Sequence, residues 1–367
     1  MSDRTSRPTA SILTTVQLPT TVGLDISDRA SHFHVMRGDG VSLKTGKVGT
    51  EAADLTRLFD EWAGCRLVIE AGCHSPWISR LGLARGLEVV VANPRRVELI
   101  AKSDKKTDRT DAETLARLGK SNVEVLAPIT HRSKQAQEHL AVLRSRDAAV
   151  SARTMLINQV RGTLKSHGHR APKCAAQCFA SRVTKTIPAE LAPALLPIVE
   201  LLTHTDQAIR GYDKKLERIA AEHYPVTEQL RAIRGVGPIV SLALVLTLDD
   251  PKRFKGRDVG AYLGLVPRVQ CSGKMQPQLG ITKAGDREMR RLLVISANYI
   301  LGRYGPDCDL RRFGLRLAGD GGDKNAKKRA KVAVARKLAI LMHHLWRTGA
   351  AYDALYLAKK KGETVPA

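Results

Sequence analysis

The sequence predicts an α/β domain, then an arm of long helices, then a mainly helical basic domain. Three observations carry this. Short apolar or alternating runs punctuated by turn residues fill the stretch from Thr20 to Leu126. Apolar residues recur at seven-residue spacing through the middle. From Tyr224 onward, helical periods carry a strong excess of Lys and Arg, broken by glycine turns. A length of 367 residues exceeds what one core comfortably serves and fits two or three domains.

In order along the chain, Val22 to Ile26 reads as a strand, followed by a Ser27-Asp28-Arg29 turn. Ser31 to Met36 alternates, and Arg37-Gly38-Asp39-Gly40 turns it into a third strand, Val41 to Val48. Glu51 to Ala63 has Leu55, Leu58, Phe59 and Trp62 on one side and predicts a helix. Arg66 to Glu70 is a short buried strand, Trp77 to Ala84 a helix and Glu88 to Ala92 another strand. Three antiparallel strands followed by alternating helices and parallel strands is the order of an RNase H-like sheet.

Between Ser133 and Ser166, Leu143, Val150, Ile157 and Leu164 lie seven apart. Between Pro197 and Glu222, Ile198, Leu202, Thr205, Ile209, Tyr212, Leu216 and Ile219 step by four and three. Both are coiled-coil periods, and Pro172, Pro188, Pro193 and Pro197 are expected to break the helix between them. Two long helices therefore form an arm or an oligomerisation stalk, or else pack on their own domain. The expected division is a disordered leader at 1–19, the α/β domain at 20–126, the arm at 127–223, the C-terminal domain at 224–352 and a tail at 353–367.

Lys and Arg number 60 against 36 Asp and Glu, a net charge of +24. Self-repulsion of that size opposes a compact state, whereas a polyanionic partner turns it into affinity through counterion release. An anionic membrane is disfavoured, since no run of about 18 apolar residues and no lipidation signal occurs. Met1 to Thr20 is polar, without the apolar stretch of a signal peptide. Six scattered cysteines without a CxxC pair suit a reduced, cytoplasmic protein. Cys174 and Cys178 beside His167 and His169 are a weak zinc pattern, because zinc ligands come in tighter pairs. His139, His204, His343 and His344 also read as packing or polar surface, and no phosphate-binding loop of the GxxxxGK[ST] type implies ATP.

Asp25 ends the first strand and Glu70 the fourth, at the sheet edge where ligands of α/β sheets gather. Asp108 and Asp111, three apart, share one helix face. In an RNase H-like sheet the two strands are neighbours and the later helix crosses their ends, so the four carboxylates converge. Such a cluster repels itself unless hard divalent cations neutralise it; one or two Mg²⁺ ions suit its oxygens and phosphoryl transfer. Individually, each carboxylate is equally a turn or cap residue.

Further on, Leu230 through Gly235-Val236-Gly237 to Leu244 reads as helix, tight turn, helix. This resembles a helix-hairpin-helix, whose glycines bring N–H groups to a phosphate. A polar loop with Ser272 and Gly273 follows, with Arg268, Lys274, Lys283 and Arg287 to meet negative charge. On chemistry alone Ser272 is equally a hydrogen-bonding turn residue. Lys324 to Lys337 has a cationic face holding Lys327, Lys328, Arg329 and Lys331, read as a nucleic-acid contact.

The motifs Gly23-Leu24-Asp25, Ile69-Glu70-Ala71, Asn93-Pro94 and Lys106-Thr107-Asp108-Arg109-Thr110-Asp111 resemble those of DEDD-type insertion-sequence transposases. These enzymes carry a RuvC-like domain, named after a Holliday-junction resolvase. Gly72-Cys73 departs from the expected Thr-Gly, at a turn rather than at a ligand. Gly264-Leu265-Val266-Pro267-Arg268, Ser272-Gly273 and Gly280 through Lys283 to Gly285 are similar to the second half of the same family. The resemblance implies that Asp25, Glu70, Asp108 and Asp111 bind the metal and that Ser272 attacks DNA to form a phosphoserine link in a composite site. Cys271 is a less suitable attacker, its sulfur being soft. It further implies element-end and target DNA as substrates, a structured noncoding guide RNA, and a dimer or tetramer. An aromatic content of 4% fits a protein that holds duplex shape and phosphates rather than splayed bases.

Two other classes remain. A hydrolytic, metal-dependent junction nuclease needs the carboxylates but not Ser272, and a non-catalytic nucleic-acid-binding protein needs neither. A tyrosine recombinase is disfavoured, since Tyr262, Tyr299 and Tyr304 have no accompanying Arg/His set.

Overall fold

The computed structural model describes residues 19–100, 108–270, 279–319 and 323–362. Five strands, β1 (Thr21–Asp25), β2 (Ala30–Met36), β3 (Ser42–Gly49), β4 (Arg66–Glu70) and β5 (Glu88–Ala92), make one sheet in the order β3-β2-β1-β4-β5. β2 runs antiparallel to both β1 and β3, while β1, β4 and β5 are parallel. Each strand begins and ends within a residue of the sequence expectation. The hairpin turn between β2 and β3 closes where Arg37 N–H donates to the Val41 carbonyl at 2.9 Å and the Asp39 carboxylate accepts from Val41 N–H. β3, one of the two edge strands, is mostly exposed and carries Lys44 and Lys47, which discourages pairing with other chains.

Alternation along the strands sorts the side chains into two layers. Val22, Leu24, Leu67 and Ile69 face α1 (Ala52–Glu61) and α2 (Ser75–Ala84), packing on Leu55, Leu58, Phe59 and Ile78. Val68, Val90 and Ala92 face the other way, against Val97 of α3 (Pro94–Ile100) and Leu115 of α4 (Asp108–Ser121). α4 touches the sheet almost backbone to backbone. A Cβ on Gly23 would stand 2.1 Å from the Ala112 carbonyl oxygen, and one on Gly119 would stand 2.2 Å from Val68 Cγ2. At the C-terminal end of α4, Arg66 Nη1 donates to the Gly119 carbonyl at 2.7 Å and its Nη2 pairs with Glu88 at 3.0 Å.

The chain divides into two compact units, Met1–His131 and Arg132–Ala367. In the second, α5 (Lys134–Ser166), α6 (Phe179–Val183) and α7 (Ala192–His223) build the arm. α5 and α7 run antiparallel, with Arg146 bound to Asp213 and Arg153 to Asp206 at 3.0 Å. Of the heptad positions, Leu143 packs with Leu216 and Ile219, and Ile157 and Leu164 pack with Leu202, within one chain. Pro197 does not break the helix as expected; it lies inside α7. It forfeits only the bond to the Pro193 carbonyl in the second turn, and packing of Leu195 and Val199 holds the segment helical.

The remaining helices are α8 (Val226–Arg231), α9 (Pro238–Leu248), α10 (Gly256–Tyr262), α11 (Arg287–Leu301), α12 (Asp309–Ala318), α13 (Lys324–Thr348) and α14 (Tyr356–Lys360). Apolar on every side, α9 is buried from Ser241 to Leu248 and forms the spine of this core. α11 adds Met289, Leu293 and Ile300, and α13 adds Val334, Leu338 and Met342. Ala136, Leu140, Leu143, Leu216 and Ile219 at the foot of the arm belong to the same cluster, so arm and C-terminal helices form one unit. No single described helix is long and apolar enough to cross a membrane.

These contacts set two opposite glycine outcomes. Gly23→Ala should lower stability to urea by about 1–3 kcal/mol, because α4 has to move off the sheet. Gly162→Ala, exposed in α5 with open space around it, should raise stability by up to ~1 kcal/mol.

Candidate active site

Asp25 has the same strand parity as Gly23, and Glu70 the same as Val68, so both point to the face covered by α4. Leu24 pairs with Ile69 in the parallel register, which makes Asp25 and Glu70 neighbours at the C-terminal ends of β1 and β4. Asp108 and Asp111 occupy the first turn of α4, where the helix dipole favours negative charge. The pKa of Asp25 is raised to about 6. Burial is the main cause, and Asp111, Asp108 and Glu70 each add repulsion. Among the described residues no three His, Cys, Asp or Glu side chains are arranged as a ready ligand group. Carboxylates are hard oxygen donors of the kind Mg²⁺ takes, and among the described residues only His32 favours the ionised form of Asp25.

The Gly72-Cys73 departure falls in the turn after β4. There the Ser75 hydroxyl donates to the Gly72 carbonyl and accepts from Gly72 N–H, both at 2.9 Å. Two histidines in this region have no counterpart in the sequence reading. His32 pairs across the strands with Asp25 and places Nδ1 3.6 Å from an Asp108 oxygen. His34, opposite Gly23, is only 5% exposed, and neither of its ring nitrogens has a hydrogen-bond partner. Burial pushes its pKa down; Glu113 opposes this, and Arg117 and Arg109 add to it. The signal for both was the two-residue spacing on β2, interpretable only with the β1–β2 register.

In the second unit, Ser272, Cys271 and Lys274 lie outside the described residues. Residues before and after them run antiparallel, with a bridge between Pro267 and Ile281. Arg268 N–H donates to the Gly280 carbonyl and Thr282 N–H to the Val266 carbonyl, each at 2.9 Å. The base of this ribbon is interlocked. A Cβ on Gly264 would stand 2.1 Å from the Ala284 oxygen, and one on Gly285 would stand 2.0 Å from the Tyr262 oxygen. Both glycines have positive φ, +67° and +74°. Arg290 Nη1 fastens the same place through the carbonyls of Leu263, Ala284 and Gly285. Arg268, Lys283 and Arg287 are exposed around it.

The other expected nucleic-acid contacts are dispersed over the unit. Gly235, with φ +94°, backs onto Tyr299 and Ile300, and Gly237 caps α9 without a side-chain bond. Lys327, Lys328 and Arg329 are exposed on α13, whereas Lys331 is half-buried. Lys337 lies 3.8 Å above the Phe313 ring and Arg336 packs on Gly260, so these two cations help to hold the fold.

The raised Asp25 pKa has a signed consequence. Above about pH 6 the ionised carboxyl is crowded and costs stability; the cost fades as pH falls through that value and is absent below about pH 4. In metal-free protein, Asp25→Asn should therefore stabilise by about 1–2 kcal/mol near neutrality, discounted for a half-open site, and by almost nothing near pH 4. Mg²⁺ should raise the melting temperature of the wild type and leave that of Asp25→Asn unchanged.

Comparison with known proteins fits these two sites. Residues 22–168 match the DEDD transposase family model, and residues 227–310 match that of the transposase IS116/IS110/IS902 family. The transposase for insertion sequence element IS1111A of Coxiella burnetii is 28% identical, over 75% of this chain and 76% of its own length. A probable family 20 transposase of Pseudomonas aeruginosa is 28% identical over 76% and 83%. The transposase for insertion sequence element IS1328 of Yersinia enterocolitica is 29% identical over 77% and 84%. The first match takes in all four carboxylates and the second the glycine-interlocked ribbon, in the same chain order, and the chain belongs to the IS116/IS110/IS902 family of insertion-sequence transposases.

Proposed function

We propose that this transposase cuts and rejoins DNA through a covalent phosphoserine intermediate, using Asp25, Glu70, Asp108 and Asp111 as metal ligands and Ser272 as nucleophile. The observation that carries the reading is the carboxyl of Asp25, raised to about 6 and crowded by the other three acids. Structural proteins rarely keep such a cluster, because it works against its own fold. The sheet order β3-β2-β1-β4-β5, with acids ending β1 and β4, supports an RNase H-like, RuvC-like assignment of the first unit.

Bound Mg²⁺, as one or two ions, would supply charge neutralisation for the transferring phosphate. The protein's part is as follows. The Ser272 oxygen bonds to phosphorus as a phosphorus–oxygen bond in the DNA breaks; its proton passes to a base, and the departing DNA hydroxyl gains one. Bond energy is thereby conserved in the serine ester for rejoining. Arg268, Lys274, Lys283 and Arg287 stabilise charge on the phosphate. The glycine turn at Gly235 and Gly237 and the cations Lys327, Lys328, Arg329 and Lys331 hold the backbone of element-end and target DNA. A structured noncoding RNA as guide, and a dimer or tetramer as the working assembly, follow from the family resemblance.

Covalent capture tests the reaction. The protein, its flanking RNA, element-end DNA and Mg²⁺ are incubated and resolved on a denaturing gel. A protein–DNA adduct is expected from wild type and Cys271→Ala, and none from Ser272→Ala or Asp25→Ala. Metal-dependent cleavage without an adduct, unchanged in Ser272→Ala, would replace this reading with hydrolysis by a junction nuclease. Binding that is indifferent to Asp25→Ala, with no cleavage at all, would leave only a nucleic-acid-binding protein.

A further inference from the structure

The tip of the arm, at the turn from α5 to α7, has two properties that the proposed reaction does not use. It has its own core. Ile157, Val160 and Leu164 of α5 pack with Phe179 and Val183 of α6 and with Leu195, Val199 and Leu202 of α7, apart from the cluster at the arm's foot. Its surface is also cationic in an unusual way. From Ala148 to Ala189 the chain contains seven Lys and Arg residues and not one Asp or Glu.

Two of these seven are accounted for within the fold. Arg153, half-buried, pairs with the buried Asp206, and Arg161 lies 5.1 Å from the Phe179 ring centroid. The other five, Lys165, Arg170, Lys173, Arg182 and Lys185, are exposed and join no ion pair among the described residues. Glu190, the first acid after this stretch, lies 3.7 Å from His169. Elsewhere on the arm, acids are interspersed with the bases, as Glu200, Asp213, Glu217 and Glu222 show on α7. A rigid knob bearing five free cations repels itself, and a polyanion removes that cost. The two family matches end at residue 168 and resume at 227, leaving the second half of the tip outside both.

We infer that the arm tip is a separate docking site for the phosphate backbone of double-stranded DNA. Phe179 is the only Phe, Tyr or Trp from Ala148 to Glu190 and it is buried, so base stacking at the tip is left to the exposed His167 and His169 alone. Spacing favours a duplex as well. From Leu143, in the core of the C-terminal helices, to Leu164, in the tip, α5 rises about 30 Å. That is close to one turn of B-form DNA, about 34 Å. The same backbone face therefore returns near the tip when the C-terminal helices hold the duplex. The inference rests on reading the chain as an enzyme that handles duplex DNA.

Binding of the full chain to a fluorescent DNA duplex of about three helical turns, without Mg²⁺, tests it across a salt series. The tip variant is Lys173→Ala with Arg182→Ala and Lys185→Ala. The control removes the same charge nearer the foot of the arm: Lys214→Ala, Lys215→Ala and Arg218→Ala, all exposed on α7. Circular dichroism melts of both confirm that they fold. The tip variant should bind about tenfold or more weakly, with the salt slope reduced by about 2–3, and the control should change far less. Equal effects of the two variants, including no effect, would overturn the inference. So would a loss seen with a duplex RNA of the same length but not with DNA. Because no catalysis is required, a failed adduct assay with this binding pattern intact would count against the serine mechanism and not against the tip.

Discussion

Most of what the first unit can do depends on pressing one end of α4 against a sheet that resists it. Asp108 and Asp111 open that helix, and Asp25 and Glu70 end the strands beneath, so like charges oppose the approach. The approach is held by contacts that carry no charge. Gly23 accepts the backbone of Ala112 and Ala116 where any side chain would collide, and Gly119 does the same for Val68. Arg66 secures the far end of the helix through the Gly119 carbonyl. Repulsion is thus confined to the first turn of one rigid element, whose packing on Gly23 and Val68 and whose bond to Arg66 anchor it along its length.

Strand-end acids were legible in the sequence because their signal is local. Val22 to Asp25 and Leu67 to Glu70 are apolar runs that end in a carboxylate, and burial of the run fixes the exposure of its last residue. The five strands were legible for the same reason. His32 and His34 were not, since their significance depends on which residues of β1 they oppose, and a single strand does not contain that register. The course of α7 was misjudged at Pro197, where packing of Leu195 and Val199 outweighs one missing hydrogen bond. Heptad spacing announced the arm, but periodicity alone does not say whether a seam closes within one chain or between two.

In the second unit, sequence motifs and structural roles overlap less simply. The glycine turn before α9 has the pattern of a phosphate-binding hairpin, yet the helix it introduces is the most buried in the unit. Backbone groups at the turn and side chains of the helix can serve different ends, the first toward solvent and the second toward the core. Gly264 and Gly285 are clearer. Each fills the space against the other's neighbour, a reciprocal fit between residues twenty-one positions apart that no local pattern reveals.

The antiparallel arm also acts as a ruler. Its seam repeats every seven residues, and its two ends are sealed by separate cores. Inserting seven residues into each helix would preserve the phase of the seam and carry the tip outward by about 10 Å. Neither core would need a new contact. Reach is therefore a quantity that can change in whole steps while the rest of the protein stays as it is, and the Arg153–Asp206 and Arg146–Asp213 pairs mark the graduations that keep the two helices in step.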